Sequence, residues 1–134
     1  MLIDERRRPI MARVARAPDG SWYAVWREDD GWSVGNARES FDFSSPPRSR
    51  KEGFELASDA QLVAELWAAG RGRVLREHDY VNVQHQEDKD RGWVADSWGC
   101  RCGASELDFD NVGEAAAAAR SHWREALRAA LARA

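Results

Sequence analysis

The sequence predicts an α+β fold, and three observations carry this prediction. Aromatic and β-branched runs alternate with aspartate–glycine turns in residues 11–43, a pattern typical of antiparallel sheets. A second pair of such runs follows further along the chain. It lies between two segments whose apolar residues recur with helical periodicity. The length of 134 residues is that of a single small domain, residues 1–134, with a modest core.

Residues 11–43 are predicted to form a three-stranded antiparallel meander. Its two turns are Pro18-Asp19-Gly20 and Asp29-Asp30-Gly31. Aspartate–glycine between apolar runs is a strong hairpin signal, because glycine tolerates the left-handed backbone of tight turns. Residues 1–10 are expected to be an extension to which no role is assigned. The proline- and serine-rich residues 44–57 are expected to form a loop.

The segment 58–134 is predicted to open with a helix. Ser58 and Gln61 have the spacing of a capping box, and an apolar stripe follows them. Gly70 lies where a C-terminal cap is expected. The helix is therefore predicted to start at Ser58 and to end just before Gly70.

Two strands and a long helix are predicted to complete this segment. The strands cover residues 73–84 and 92–98, with a charged loop between them. The last helix has Asn111 as its expected N-cap and runs for about twenty residues to the end of the chain. Trp123 and Leu127 lie on its apolar stripe, so this face is expected to cover the strands.

Composition excludes some classes of protein. The net charge of −3 gives no overall attraction for nucleic acid, and 43% hydrophobic residues argue against disorder. The N-terminus lacks the apolar core of a signal peptide, and no apolar run is long enough to span a bilayer. The chain is therefore expected to be cytoplasmic and to have no membrane partner, with its two cysteines reduced.

The two cysteines are the strongest chemical signal in the sequence. Cys100 and Cys102 are two positions apart and Gly103 follows them, which suits a tight turn around a metal. His122 on the last helix is the expected third ligand. His78 is favoured as the fourth, because pairing of the two strands places it nearly opposite Cys100. His85, which is expected to cap the loop between the two strands, and a carboxylate remain alternatives for the fourth position.

The same segment resembles a recurring type of small actinobacterial and actinophage protein. The matching features are His78, the run "WVADSWGCRCG" and the alanine-rich helix that carries His122, over roughly residues 78–127. The resemblance implies a metal-binding C-terminal segment and implies no reaction. It also makes an origin from a phage or another mobile element a working expectation.

Three uses of the cysteines are open at this point. Zinc with a closed set of four ligands would be a structural ion that ties the strands to the last helix. Buried cysteines also serve as small, inert apolar residues. Redox or nucleophilic use is the third alternative, although the sequence supplies no recognisable orienting group or oxyanion site. A direct disulfide between Cys100 and Cys102 would be strained.

Tryptophans and arginines supply candidates for binding. Most of the seven tryptophans are expected in the core, with Trp32 and Trp98 as the exposed exceptions. The candidate phosphate-binding arginines are Arg71, Arg73, Arg124 and Arg128.

Without a catalytic motif, the leading hypothesis is a non-enzymatic accessory or regulatory protein that binds a protein partner. The alternative is a nucleic-acid-binding regulator that uses arginines of the last helix. The oligomeric state is left open.

Overall fold

The computed structural model describes residues 11–36 and 50–133, and it confirms the α+β class. Contacts group the chain into two compact units, one up to Gly72 together with Arg133–Ala134, and the other Arg73–Ala132. This boundary falls inside the segment 58–134. The predicted extension 1–10 and residues 37–49, which include the end of the predicted meander, lie outside the described residues. No described helix is long and apolar enough to span a membrane.

The N-terminal unit contains a four-stranded antiparallel sheet and one helix. The strands, in their order across the sheet, are β1 (Met11–Arg16), β2 (Trp22–Glu28), β3 (Gly31–Asn36) and β4 (Arg50–Phe54). Both predicted turns are present between these strands. Asp19 Oδ1 accepts a hydrogen bond from the backbone N–H of Ser21 in the first turn, and Gly31 has a φ of 128° in the second.

Strand β4 corrects the prediction of a loop over residues 44–57. "RKEGF" has three residues with low strand propensity, lysine, glutamate and glycine, and no clear alternation, so its sequence does not favour a strand. It becomes a strand because β3 offers a free edge, on which Trp32 pairs with Phe54. The backbones approach so closely that a Cβ on Gly31 would lie 2.7 Å from the carbonyl oxygen of Phe54.

Helix α1 (Ala57–Ala68) packs on all four strands of this sheet. The predicted capping box is wrong, because the helix takes Leu56 as its N-cap and uses no side-chain cap. The predicted C-terminal cap is confirmed. Gly70 has a φ of 72°, and the N–H of Arg71 donates to the carbonyl of Leu66 at 2.8 Å, as in a Schellman motif.

The C-terminal unit contains a three-stranded antiparallel sheet and two helices. Its elements are α2 (Arg73–Glu77), β5 (Val83–Asp88), β6 (Trp93–Gly99), β7 (Ser105–Phe109) and α3 (Val112–Ala132). The strand order is β5–β6–β7, and α3 packs on all three strands and on α2. The Asn111 N-cap is confirmed, because its Oδ1 accepts a hydrogen bond from the N–H of Glu114 at 2.9 Å.

Two predictions in this unit are wrong. The start of the predicted strand 73–84 is helix α2, in which Arg73 forms an i,i+4 ion pair with Glu77 at 3.1 Å and Leu75 is the buried residue. Strand β7 was not predicted, because four of its five residues are exposed and its sequence carries little apolar signal. The sheet therefore has three strands rather than a strand pair.

Candidate metal centre

Four side chains of the C-terminal unit converge on one point. The ligand atoms of His78, Cys100, Cys102 and His122 all lie within 4.8 Å of one another, and the group could hold a metal ion. It is the one such group in the described parts of the chain. These are the four residues that the sequence favours, so the structure brings the whole predicted ligand set together.

The distances in this cluster suit tetrahedral coordination. Cys100 Sγ lies 3.6 Å from His78 Nδ1, and Cys102 Sγ lies 3.3 Å from His122 Nε2. Tetrahedral bonds of about 2.3 Å to sulfur and about 2.0–2.1 Å to nitrogen place such atoms about 3.5 Å apart. Both pairs therefore already have the separation that an ion between them requires.

The two cysteines are held by the tight connection between β6 and β7. The N–H of Gly103 donates to the carbonyl of Cys100 at 3.0 Å, and the N–H of Cys100 donates to the carbonyl of Ala104 at 2.9 Å. Gly103 has a φ of 97°, a backbone conformation that residues with a side chain rarely adopt. The glycine therefore permits the turn that aims both thiols at one side of the connection.

His78 lies in the segment between α2 and β5, which is fastened to the cysteine turn. The N–H of Gly99 donates to the carbonyl of Asn82 at 3.0 Å, and Arg101 Nε lies 3.2 Å from Asp79 Oδ1. The Cys100 thiol also approaches the carbonyl of Glu77 at 3.7 Å. These contacts hold the histidine segment against the turn independently of a metal.

His122 is supplied by α3 and is oriented by an aromatic neighbour. Its ring stacks on Trp98 with centroids 4.9 Å apart and an interplanar angle of 29°. The next residue, Trp123, is buried and contacts Tyr80 edge to face at 4.7 Å. The helix is thus anchored beside the ligand, and the imidazole has little freedom to turn away from the cysteines.

The surroundings of His78 favour its neutral form. Partial burial lowers the pKa of His78 below its ordinary value of 6.5, and the neighbouring His122 lowers this pKa further. Glu77 and Asp79 act in the opposite direction and do not outweigh these effects. Neutral imidazole is the form that binds a metal, so the environment suits His78 to ligation.

His85, the alternative fourth ligand, is engaged elsewhere. It lies within β5, where its Nδ1 is 2.5 Å from Asp96 Oδ1, and Asp96 is buried. This pairing follows from the register, in which His85 faces Asp96 and Val83 faces Trp98. The predicted position of His85 at the cap of a loop is wrong, because β5 extends to Asp88 and the connecting turn is correspondingly shorter.

Neither of the two tryptophans predicted to be exposed, Trp32 and Trp98, is fully at the surface. Trp98 is 4% exposed, so its predicted exposed position is wrong: it fills the space between β6 and His122. Trp32 is half-buried in β3. Trp93, at the start of β6, is the tryptophan with high exposure, at 44%. Trp93 and Trp98 face opposite sides of β6, so the expectation of an exposed Trp98 places Trp93 in the core.

The candidate phosphate-binding arginines are distributed over both units. Arg71 donates to the carbonyl of Arg133 at 3.2 Å, and Arg73 is paired with Glu77. Arg124 and Arg128 are one turn apart on α3, where the first is half-buried and the second exposed. Ion pairing therefore reduces the positive charge that Arg73 offers to a phosphate.

Two supporting contacts of the centre lie beyond what the sequence analysis identified. They are the stack of His122 on Trp98 and the ion pair of Arg101 with Asp79. Both join elements that are distant in sequence. For the ion pair with Asp79, the sequence offers one signal, the arginine that lies between the two cysteines.

In comparisons with protein-family models, with curated proteins and with solved structures, nothing matches this chain.

Proposed function

We propose that the chain is a non-enzymatic accessory or regulatory protein, stabilised by one structural zinc ion, that acts by binding a protein partner. The observation that carries the proposal is the cluster of two thiols and two imidazoles within 4.8 Å. Cysteine and histidine together are the donors of structural zinc sites, and the Cys100–His78 and Cys102–His122 separations fit that geometry.

The donor set supports a structural rather than a catalytic ion. Four protein ligands fill a tetrahedral zinc site, whereas catalytic sites keep one position for water or substrate. The ligands come from three places: the segment before β5, the connection between β6 and β7, and helix α3. An ion held by all three would fasten the helix to the sheet and thereby stabilise the unit.

Exposed apolar side chains support a protein partner. Trp93 and Val94 at the start of β6 are 44% and 58% exposed, and Leu107 in β7 is 72% exposed. Large apolar and aromatic side chains at the surface are typical anchors of protein interfaces. The resemblance to actinobacterial and actinophage proteins makes a role in a phage or mobile element, in the reducing cytoplasm, part of the same proposal.

Native mass spectrometry of the purified chain tests the zinc site. We expect one zinc ion per chain, and we expect Cys102→Ser to lose both the ion and thermal stability because a structural ion contributes directly to folding. Ser121→Ala, which changes an exposed neighbour of His122, serves as the matched control and should keep the ion. A wild-type chain that stays metal-free in the presence of zinc would contradict the proposal.

Affinity purification from an actinobacterial lysate tests the partner. We expect Leu107→Ser to lose a partner that the wild type and a Gln84→Ala control, which also changes an exposed strand residue, both retain. The nucleic-acid alternative predicts a different result. Binding to a DNA or RNA duplex would weaken steeply with salt and would fall in the Arg128→Ala variant. That result would support a nucleic acid, rather than a protein, as the binding partner.

A further inference from the structure

We infer that Cys102 is a site of reversible oxidation and that a peroxide releases the zinc ion by converting Cys100 and Cys102 into a disulfide. This inference rests on the proposed zinc site and adds a means of regulating it. The starting observation is an asymmetry within the cluster: Cys102 is exposed, whereas Cys100 is half-buried. One thiol of the metal centre is thus open to a small dissolved oxidant.

The geometry places a second thiol within reach of the first. The two Sγ atoms belong to a group whose members are at most 4.8 Å apart. The hydrogen bond from Gly103 to Cys100 closes a β-turn in which Cys100 is the first residue and Cys102 the third. A turn brings these α-carbons closer than the extended span of about 6.6 Å. It therefore brings them into the range of about 4.4–6.8 Å in which disulfides form.

The chemistry balances with one equivalent of peroxide. The Cys102 thiolate attacks one oxygen of hydrogen peroxide, the O–O bond breaks, and a sulfenic acid and one hydroxide result. The Cys100 thiolate then attacks the Cys102 sulfur, the S–O bond breaks, and a second hydroxide leaves. Two thiolates are oxidised, one peroxide is reduced, and the two hydroxides take up two protons from solvent to form water.

Oxidation removes half of the donor set. A disulfide sulfur lacks the negative charge of the thiolate that binds zinc, so only His78 and His122 would remain as ligands. A disulfide between residues two apart is also strained, and strained, exposed disulfides are the ones that thiols reduce readily. The site therefore suits a reversible change better than a permanent cross-link.

Peroxide treatment of the zinc-loaded full-length chain tests the inference. A chromogenic chelator should report one zinc ion released per chain, and the intact mass should fall by two hydrogen atoms. A thiol reductant with added zinc should restore the loaded form. Zinc that stays bound, or zinc loss that accompanies only irreversible sulfinic or sulfonic acids or a cross-link between two chains, would overturn the inference.

A variant that keeps four donors provides the matched control. Cys102→His retains a Cys–His ligand set but only one thiol, so peroxide should release its zinc at least about tenfold more slowly than that of the wild type. Trapping with dimedone needs no variant. It should label Cys102 in the wild type, and labelling of Cys100 alone would overturn the assignment.

The same experiment separates the two proposals. A chain that never binds zinc contradicts the proposed function. A chain that binds one zinc ion and keeps it in peroxide contradicts only the oxidation of Cys102.

Discussion

The two units of the molecule bury their sheets to very different extents. In the N-terminal unit, β2 and β3 each contain three consecutive buried residues, and α1 buries six of its twelve. In the C-terminal unit, β5 and β7 contain no buried residue, and α3 buries five of twenty-one. Three of those five are alanines, which remove little apolar surface from water.

The metal centre lies in the unit with the smaller apolar core. Hydrophobic burial supplies most of the stability of a domain, and small units that bury little commonly depend on a metal or a disulfide. The cluster of His78, Cys100, Cys102 and His122 joins the segment before β5 and the connection between β6 and β7 to α3. The difference therefore indicates that apolar packing holds the N-terminal unit, whereas the proposed zinc ion would add ligand bonds to the smaller apolar core of the C-terminal unit.

The largest expected effect comes from the apolar core of the N-terminal unit. Trp26 is fully buried, so Trp26→Ala should lower the free energy of unfolding by about 3–5 kcal/mol. The loss should be the same with and without a chelator, because no metal ligand lies in this unit's described residues. Urea unfolding measures both values. As a control, Trp93→Ala changes an exposed tryptophan and should alter stability by about 0.5 kcal/mol or less.

Two glycine-to-alanine substitutions, one in each unit, test whether the neighbouring backbone leaves room for a side chain. A Cβ at Gly31 would lie 2.7 Å from the carbonyl oxygen of Phe54, whereas a Cβ at Gly92 would meet nothing within 4 Å. Both have a positive φ that residues with a side chain rarely adopt, so both alanine variants are strained. Gly31→Ala should cost more than Gly92→Ala because β4 must also move. Equal losses in thermal unfolding would contradict the tight pairing of β3 and β4.

Removal of the N-cap of α3 tests how strongly the stability of the C-terminal unit depends on this helix. Asn111→Ala removes the side-chain acceptor for the N–H of Glu114 and should cost about 0.5–2 kcal/mol. Ser121→Ala on the same helix is exposed and should be nearly neutral. Chemical unfolding of both variants with zinc bound gives the comparison. A neutral Asn111→Ala variant would show that the cap contributes nothing once the metal holds the helix.

The smallest expected effect is a dependence on pH that arises outside the metal centre. The hydrogen bond to Asp96 is the main cause that raises the pKa of His85 above 6.5, and Glu87 adds to it. Folding therefore favours the charged form of His85. The stability that the charged imidazole contributes to the fold is complete below pH 6.5 and disappears as the pH rises through the raised pKa.

His85→Gln should lack this part of the pH dependence. Unfolding of the wild type and the variant, measured from pH 6 to pH 8 at the same zinc concentration, should show a difference that shrinks as pH rises. A difference that grows with pH would mean that the pair stabilises the neutral imidazole instead.

The turns, the C-terminal end of α1 and the N-terminal end of α3 could be predicted from sequence because their signals are local. Asp-Gly pairs specify the hairpins, and Asn111 and Gly70 specify helix ends through their own hydrogen bonds or φ values. β4 and β7 could not, since each depends on the edge of another strand rather than on its own residues. The short helix α2 was mistaken for a strand because its single buried residue, Leu75, gives no periodicity.

The four clustered residues could be predicted although the expected register was wrong. The prediction that His78 lies nearly opposite Cys100 corresponds to pairs whose numbers add up to about 178, whereas the observed pair of Val83 and Trp98 adds up to 181. The error shifts the strands by two or three positions but leaves His78 near Cys100, because His78 lies beyond the strand end. The stack of Trp98 on His122 could not be predicted, since it depends on how α3 crosses the sheet.

Hydrogen exchange of the zinc-loaded chain, measured with and without a chelator, compares the two units directly. Metal removal should accelerate amide exchange in residues 73–132, most strongly at the cysteine turn and in α3, and should leave residues 11–36 and 50–72 unchanged. Equal acceleration in both regions, or no change in either, would contradict an ion that specifically stabilises the C-terminal unit.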